Sequence, residues 1–282
     1  MAAPSARERV RAAFEQPRYE IIPMKGVEEQ VAYLPSNAIV TVTSSPTKGT
    51  EATLELTARL QTRDLAAIVP HLAARSIRDA GHLKDLLHQV SDLGITEVFA
   101  VAGDAPTPAG DFEGTASLLH AMADIGHNLQ VGITGYPESH AFIPDDTTIQ
   151  AMFDKEPHAS YIVSQVCYDP AAITRWVARV RERGTQLPIY LGLPGVVDFA
   201  RLLRISKRVG IGDSMRFLRK QWSTVARLVG GYQPDELVDA LAPLIADPAK
   251  NVPGLHMFTF NEVRRTEEWR QNLLARYARS TT

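Results

Sequence analysis

The sequence predicts a single-domain (βα)8 TIM barrel, an α/β fold in which eight parallel strands close into a cylinder ringed by helices. Three observations carry that prediction. Eight short apolar runs rich in β-branched residues recur along the 282 residues; helical spacing fills the segments between them; and no low-complexity linker divides the chain. A chain of this length can bury roughly 75% of its unfolded surface, so one core suffices without staples. A doubly wound open sheet is the competing architecture.

The elements follow in order. Residues 1–17, with "MAAPSARERVRAAFEQ", mix Arg with Glu and lack an apolar signal core, which reads as a short helical or frayed extension before a barrel spanning 18–282. The strand runs are YEIIPM (19–24), AIVTVTS (38–44), LAAIVPHL (65–72), EVFAVAG (97–103), QVGITGYP (130–137), YIVSQVCY (161–168), PIYLGLPG (188–195) and GLHMFTF (254–260). Most are continuously hydrophobic, the mark of parallel strands buried on both faces. Between the third and fourth, Leu83, Leu86, Leu87 and Val90 recur at three- and four-residue steps and Gly94 ends the run. After the sixth, Asp169 suits a cap, Pro170 the first helical position and Gly184 the C-terminal stop. The long gap 196–253 holds VVDFARLLRISKRVG and further helical stretches; its GIG (210–212) reads as a helix stop before Asp213 and Ser214.

Composition narrows the function. A net charge of −2 and a pI near 6.5 leave no electrostatic footprint for nucleic acid or an anionic membrane. The one cysteine, Cys167, excludes an internal disulfide and any CxxC pattern. No apolar run approaches the ~20 residues that span a bilayer. The expectation is a cytoplasmic protein in a reducing compartment with a small-molecule substrate; a homo-oligomer stays open. There is no GxxxxGK[ST], HExxH, GxSxG or strand-linked GxGxxG. His71, His140 and Asp104 could meet at the barrel mouth, but without an HxH or carboxylate cluster no metal is expected.

In a barrel, chemistry belongs at the C-terminal ends of the strands. The polar residues there are Glu20, Thr41, Thr43, His71, Asp104, Tyr136, Glu138, His140, Gln165, Asp169 and Asn261. Glu20 is conspicuous, because an acid in an apolar strand needs a reason. A strand-edge Glu reaching solvent or an arginine is the plain alternative.

Taken together and in order, YEIIP, VPHL, AGDAP, GYPESH, SQVCYD, the DF after the seventh strand and HMFTFN resemble the methylenetetrahydrofolate reductase family over roughly residues 18–265. The chain looks like that family's catalytic barrel alone. The resemblance implies reduction of 5,10-methylenetetrahydrofolate to 5-methyltetrahydrofolate by hydride from NADH or NADPH. The substrate's bridging carbon accepts hydride only after its ring opens to an iminium cation, which takes a proton donor. An apolar wall such as Tyr19, Ile21 and Ile22 disfavours the charged form of a carboxyl, the property such a donor needs. The resemblance maps the family's general acid onto Glu20. It also implies that Asp104 contacts the pterin and favours the cation, and that Gln165 touches folate and nicotinamide. Phe199 and Tyr136 would line the substrate, and Thr43, His71, Gly103, Tyr136, His140 and Gln165 the cofactor.

The sequence departs from the family where flavin is gripped. The arginine expected before Gly103 is Ala102, and the expected lysine falls at Asp154, with Lys155 next to it. One close ion pair at an effective dielectric near 20 is worth roughly 4 kcal/mol before desolvation, so a flavin diphosphate would bind poorly. FAD is therefore doubtful, and direct hydride transfer in a ternary complex is expected, with Lys48 and Arg75 as candidates for the dinucleotide phosphates. The arginine expected after Asn261 is Glu262, with Arg264 and Arg265 close behind. Glu51 suits the first turn of its helix, and Glu55 would reach the site only if that helix tilted inward. The alternatives are an FAD-dependent member, another barrel oxidoreductase using flavin or deazaflavin, and a non-catalytic folate-binding protein.

Overall fold

The computed structural model describes residues 4–44, 49–138, 145–198 and 233–279. Eight parallel strands form a closed barrel in the order β1 to β8: Arg18–Ile21, Ile39–Val42, Ala67–Ala73, Glu97–Val101, Gln130–Gly135, Tyr161–Ser164, Ile189–Pro194 and Gly254–Phe258. β8 pairs back onto β1 through Arg18↔His256 and Glu20↔Phe258, which closes the cylinder. Each of the eight apolar runs overlaps a strand, and the open-sheet alternative is excluded. All but β3 end sooner than their runs; β1 stops at Ile21, shortly before Pro23, which has no N–H for a ladder.

The described helices are α1 Ala6–Glu15, α2 Val27–Val31, α3 Gly49–Leu60, α4 Ala80–Asp92, α5 Thr115–Ile125, α6 Asp145–Lys155, α7 Pro170–Glu182, α8 Asp235–Ala246 and α9 Val263–Arg279. α4 ends where Gly94 takes φ +68°, and α7 begins with Asp169 accepting the Ala171 N–H at 2.8 Å, as the spacing predicts. The N-terminal segment is a docked helix. Ser5 and Glu8 cap α1 reciprocally, and Phe14 meets Trp269 edge-on at 6.1 Å while its carbonyl accepts from Arg270.

The strand period of two separates two cores. On β1, Tyr19 and Ile21 face the helices: the Tyr19 hydroxyl donates to Glu267 on α9. Arg18 and Glu20 face the lumen. Low in that lumen Arg18 pairs with Glu97 and lies over the rings of Tyr161 and Tyr190, at 4.3 and 4.5 Å from their centroids. Phe99, Val69 and Val163 pack around this layer. Gly132 makes room for it, because a Cβ there would lie 2.3 Å from Tyr161 and 2.4 Å from Phe99. Among the described residues no helix is long and apolar enough to cross a membrane.

Candidate active site

Above that layer, at the C-terminal end of the lumen, Glu20 meets His256 of β8: Glu20 Oε2 lies 3.1 Å from His256 Nε2. Strand register places His256 beside Arg18, one lumen-facing step below Glu20, so the imidazole reaches up to the carboxyl. The Glu20 side chain keeps 16% exposure and His256 keeps 1%, so the acid sits at the boundary between packed lumen and open mouth. The backbone at this boundary is pinned. The Thr259 hydroxyl donates to the Glu20 carbonyl, and Asn261 brackets Ile22, accepting its N–H at 2.8 Å and donating to its carbonyl at 3.0 Å. Phe260 and Asn261 both take left-handed φ, 52° and 63°, which turns the chain from β8 into α9 over the site.

His71 of β3 is the third ionisable group of this cluster. Burial pushes its imidazole down to about 4, the Glu20 carboxylate opposes that shift, and His256 adds to it. Its ring packs against Phe99 at 4.8 Å, and Phe99 in turn stacks on His256 at 6.4 Å. Among the described residues, His71 Nε2, His256 Nδ1 and Thr41 Oγ1 are buried here without a hydrogen-bond partner, so they are open to a ligand or water. A carboxyl flanked by two buried imidazoles makes a site that can hold and pass on one proton. Among the described residues no three His, Cys, Asp or Glu side chains converge to hold a metal ion.

The remaining residues expected at the mouth fall into three groups. Asp104 is exposed on the loop after β4, held there by Gly103 at φ +87°, where a Cβ would lie 3.1 Å from that of Ala73. Across from it, burial raises the Tyr136 phenol above its ordinary value, and the Asp104 charge adds to the effect. Gln165 is half-buried at the end of β6 and its Oε1 accepts the Val166 N–H, leaving its amide N–H groups for a ligand. Thr43 continues the ladder by donating its N–H to the Ile21 carbonyl, with its side chain half-buried. His140, Phe199 and Lys48 lie outside the described residues, as does the GIG at 210–212.

One expectation changes. The Arg75 guanidinium is not turned toward a phosphate: it donates to the carbonyls of Ala105, Pro106 and Glu113 and ties down the loop after β4. Glu55 is exposed on α3 and Asp169 is spent on capping α7. Sequence reasoning missed His256, Phe99 and Phe258. Strand parity could have found them: a barrel that turns Glu20 inward at Glu20↔Phe258 turns His256 inward too.

A closed (βα)8 barrel with an acid and two histidines converging where its strands end has the layout of a barrel enzyme's catalytic face. The chain belongs to the methylenetetrahydrofolate reductase family, whose model matches residues 24–273. It is 25% identical over 205 residues to methylenetetrahydrofolate reductase 2 of Saccharomyces cerevisiae, an alignment covering 64% of this chain and 32% of that protein. It is likewise 25% identical over 178 residues to methylenetetrahydrofolate reductase (NADH) 1 of Zea mays, covering 55% and 29%. The matched region spans about a third of the length of these relatives. A crystal structure from Burkholderia cenocepacia J2315, described as a lyase/mutase, shares the fold at TM-score 0.51 and 13% identity, covering 98% of this chain and 89% of that one.

Proposed function

We propose that this chain reduces 5,10-methylenetetrahydrofolate to 5-methyltetrahydrofolate, taking hydride from NADH or NADPH in a ternary complex without a bound flavin. The observation that carries the reading is the Glu20–His256 contact at the lumen's upper end, in a chain of this family. Glu20 gives its proton to the ring nitrogen that leaves the bridging carbon, and the five-membered ring opens to an iminium cation. Hydride from the dihydronicotinamide then lands on that carbon. One substrate, one NAD(P)H and one proton give 5-methyltetrahydrofolate and NAD(P)+. His256 holds the carboxyl in place through Nε2. Asp104 at the rim supplies the negative charge that favours the cation over the closed ring. Gln165, Tyr136, Thr43 and His71 frame the two planar rings, and Phe199 and His140 complete the set.

What supports a reaction without flavin is the scarcity of free cations around the β4 and β5 mouths. Ala102 precedes Gly103, Arg75 is spent on three carbonyls, and Lys155 closes α6 beside the start of β6, at the end of the barrel away from the mouth. Among the described residues that set does not fit a dinucleotide diphosphate lying along β4 and β5 in a flavin's place.

The test is an absorption spectrum of the fresh protein followed by an anaerobic assay without added flavin, on wild type and Glu20→Gln. Expected are a colourless protein, NAD(P)H oxidation only in the presence of the folate, and a loss of about 10²-fold or more in kcat for the variant with binding retained, the range of general acid catalysis. Stoichiometric FAD overturns the ternary-complex reading, and a Glu20→Gln enzyme turning over like wild type overturns the acid's role.

A further inference from the structure

His256 meets Glu20 through Nε2, and its other ring nitrogen decides which partner holds the proton between them. The side chain is 1% exposed, and Nδ1 is buried without a hydrogen-bond partner among the described residues. Its ring neighbours include Phe99 and Phe258, at 6.4 and 4.9 Å between centroids, and neither side chain has an acceptor atom. A proton on Nδ1, in the other tautomer or in the cation, would be a buried donor left unsatisfied. A bare lone pair at the same place is the lesser loss, as the rarity of orphaned buried N–H groups shows. The pocket therefore favours the tautomer with its proton on Nε2, which makes the imidazole the donor and Oε2 the acceptor.

The two oxygens of the carboxyl are then unequal. A protonated carboxyl has one O–H and one carbonyl oxygen, and the carbonyl oxygen is the better acceptor. With Oε2 accepting from His256, the acid's proton belongs on Oε1. Oε1 has no partner among the described residues and, unlike Thr41 Oγ1 and His71 Nε2, is not sealed from solvent, so it is the oxygen open to a ligand. The backbone leaves little freedom to reverse this order, since Thr259 holds the Glu20 carbonyl and Asn261 holds both polar groups of Ile22. His71 completes the setting: burial pushes its imidazole down to about 4, which keeps a cation away from the carboxyl.

We infer that His256 is a positioning residue that fixes the polarity of the acid: its Nε2–H holds Oε2, and the proton for ring opening is carried on Oε1. This rests on the reductase reading above. In the step itself the Oε1–H bond breaks and leaves its electron pair on the carboxylate. The proton bonds to the ring nitrogen, and the bond from that nitrogen to the bridging carbon opens. Without His256 the proton is shared between two oxygens, and a carboxyl with no tether turns about its side-chain torsions. Substrate still binds, but fewer of the bound complexes have the O–H facing the nitrogen. The loss falls on kcat rather than on KM.

The first measurement needs no turnover. Heteronuclear NMR of the full chain, histidine-labelled and free of ligands at pH 8, reads the protonation of each ring nitrogen, with the His256 ring assigned through bonds to its own backbone. A proton on Nε2 and none on Nδ1 is expected; a proton on Nδ1 overturns the inference. The second measurement compares turnover by His256→Leu, which removes the donor and keeps the bulk, with that of His256→Gln, whose amide N–H reaches to the same place. His256→Leu is expected to lose about tenfold or more in kcat with KM for the folate within about twofold of wild type, and His256→Gln to recover most of that loss. Wild-type kcat in His256→Leu overturns the inference, as does a His256→Gln enzyme no faster than His256→Leu. If either variant fails to fold, as read by urea unfolding, the NMR result on wild type decides alone. Wild type without folate-dependent turnover refutes the reductase reading instead, and the tautomer still decides whether His256 is the donor to Glu20.

Discussion

Replacing His71 by phenylalanine keeps an aromatic ring against Phe99 and removes an imidazole whose titration burial displaces far from its ordinary range. The wild-type imidazole titrates at about 4 in the folded chain against 6.5 as the reference. Because the folded value is the lower one, the unfolded chain takes up the proton first as pH falls. Stability contributed by the neutral ring is thus complete above about pH 6.5 and is lost on descending toward pH 4. A difference of about 2.5 units corresponds to about 3 kcal/mol over the whole window, of which about 2 kcal/mol has gone by pH 5. The assay is urea unfolding of both proteins at several pH values between 8 and 4.5. Any packing change from the extra ring atoms offsets the two curves by a constant, so the slope difference isolates the proton. Wild type is expected to lose about 2 kcal/mol more than His71→Phe between pH 8 and pH 5. Two curves running parallel within about 0.5 kcal/mol would refute the claim that a neutral, desolvated His71 stands beside Glu20.

Removing Glu97 strands the buried Arg18 charge between two tyrosine rings, so Glu97→Gln is expected to lose about 3–5 kcal/mol in chemical denaturation. Arg18→Met with Glu97→Leu should recover most of that loss, and a double variant as unstable as the single one would argue against the charge as its cause. Arg75→Ala frees the carbonyls of Ala105, Pro106 and Glu113 together, and hydrogen exchange over residues 105–113 should rise with a stability loss of about 1–3 kcal/mol. Arg75→Lys is expected to rescue less than half, because one ammonium cannot match a fork that reaches three acceptors.

The barrel was legible because the signal for parallel strands is redundant. Most of the runs are apolar on both faces, so several independent stretches point to the same architecture. Local chemistry was legible at the helix ends too, where Asp169, Pro170, Gly184 and Gly94 act within a few residues of where they stand. The Arg18–Glu97 pair was not, since its partners are 79 residues apart and the lumen that joins them exists only once the cylinder has closed. Arg75 failed for a related reason: a loop cation reads alike whether it faces solvent, a phosphate or three carbonyls.

His256 shows where the limit falls. In GLHMFTF it is one polar residue in an apolar strand, the same oddity that drew attention to Glu20 in YEIIPM. Taken singly, each oddity admits a bland reading; taken together, they constrain one another. A carboxyl and an imidazole on two strands that adjoin only through ring closure can both be buried if they face each other, and the observed register turns both into the lumen. Closure of the barrel and the presence of an acid in its first strand are thus one statement. Without β8 against β1, Glu20 would have no partner inside the lumen, and without Glu20, His256 would be a nearly fully buried imidazole with neither ring nitrogen bonded.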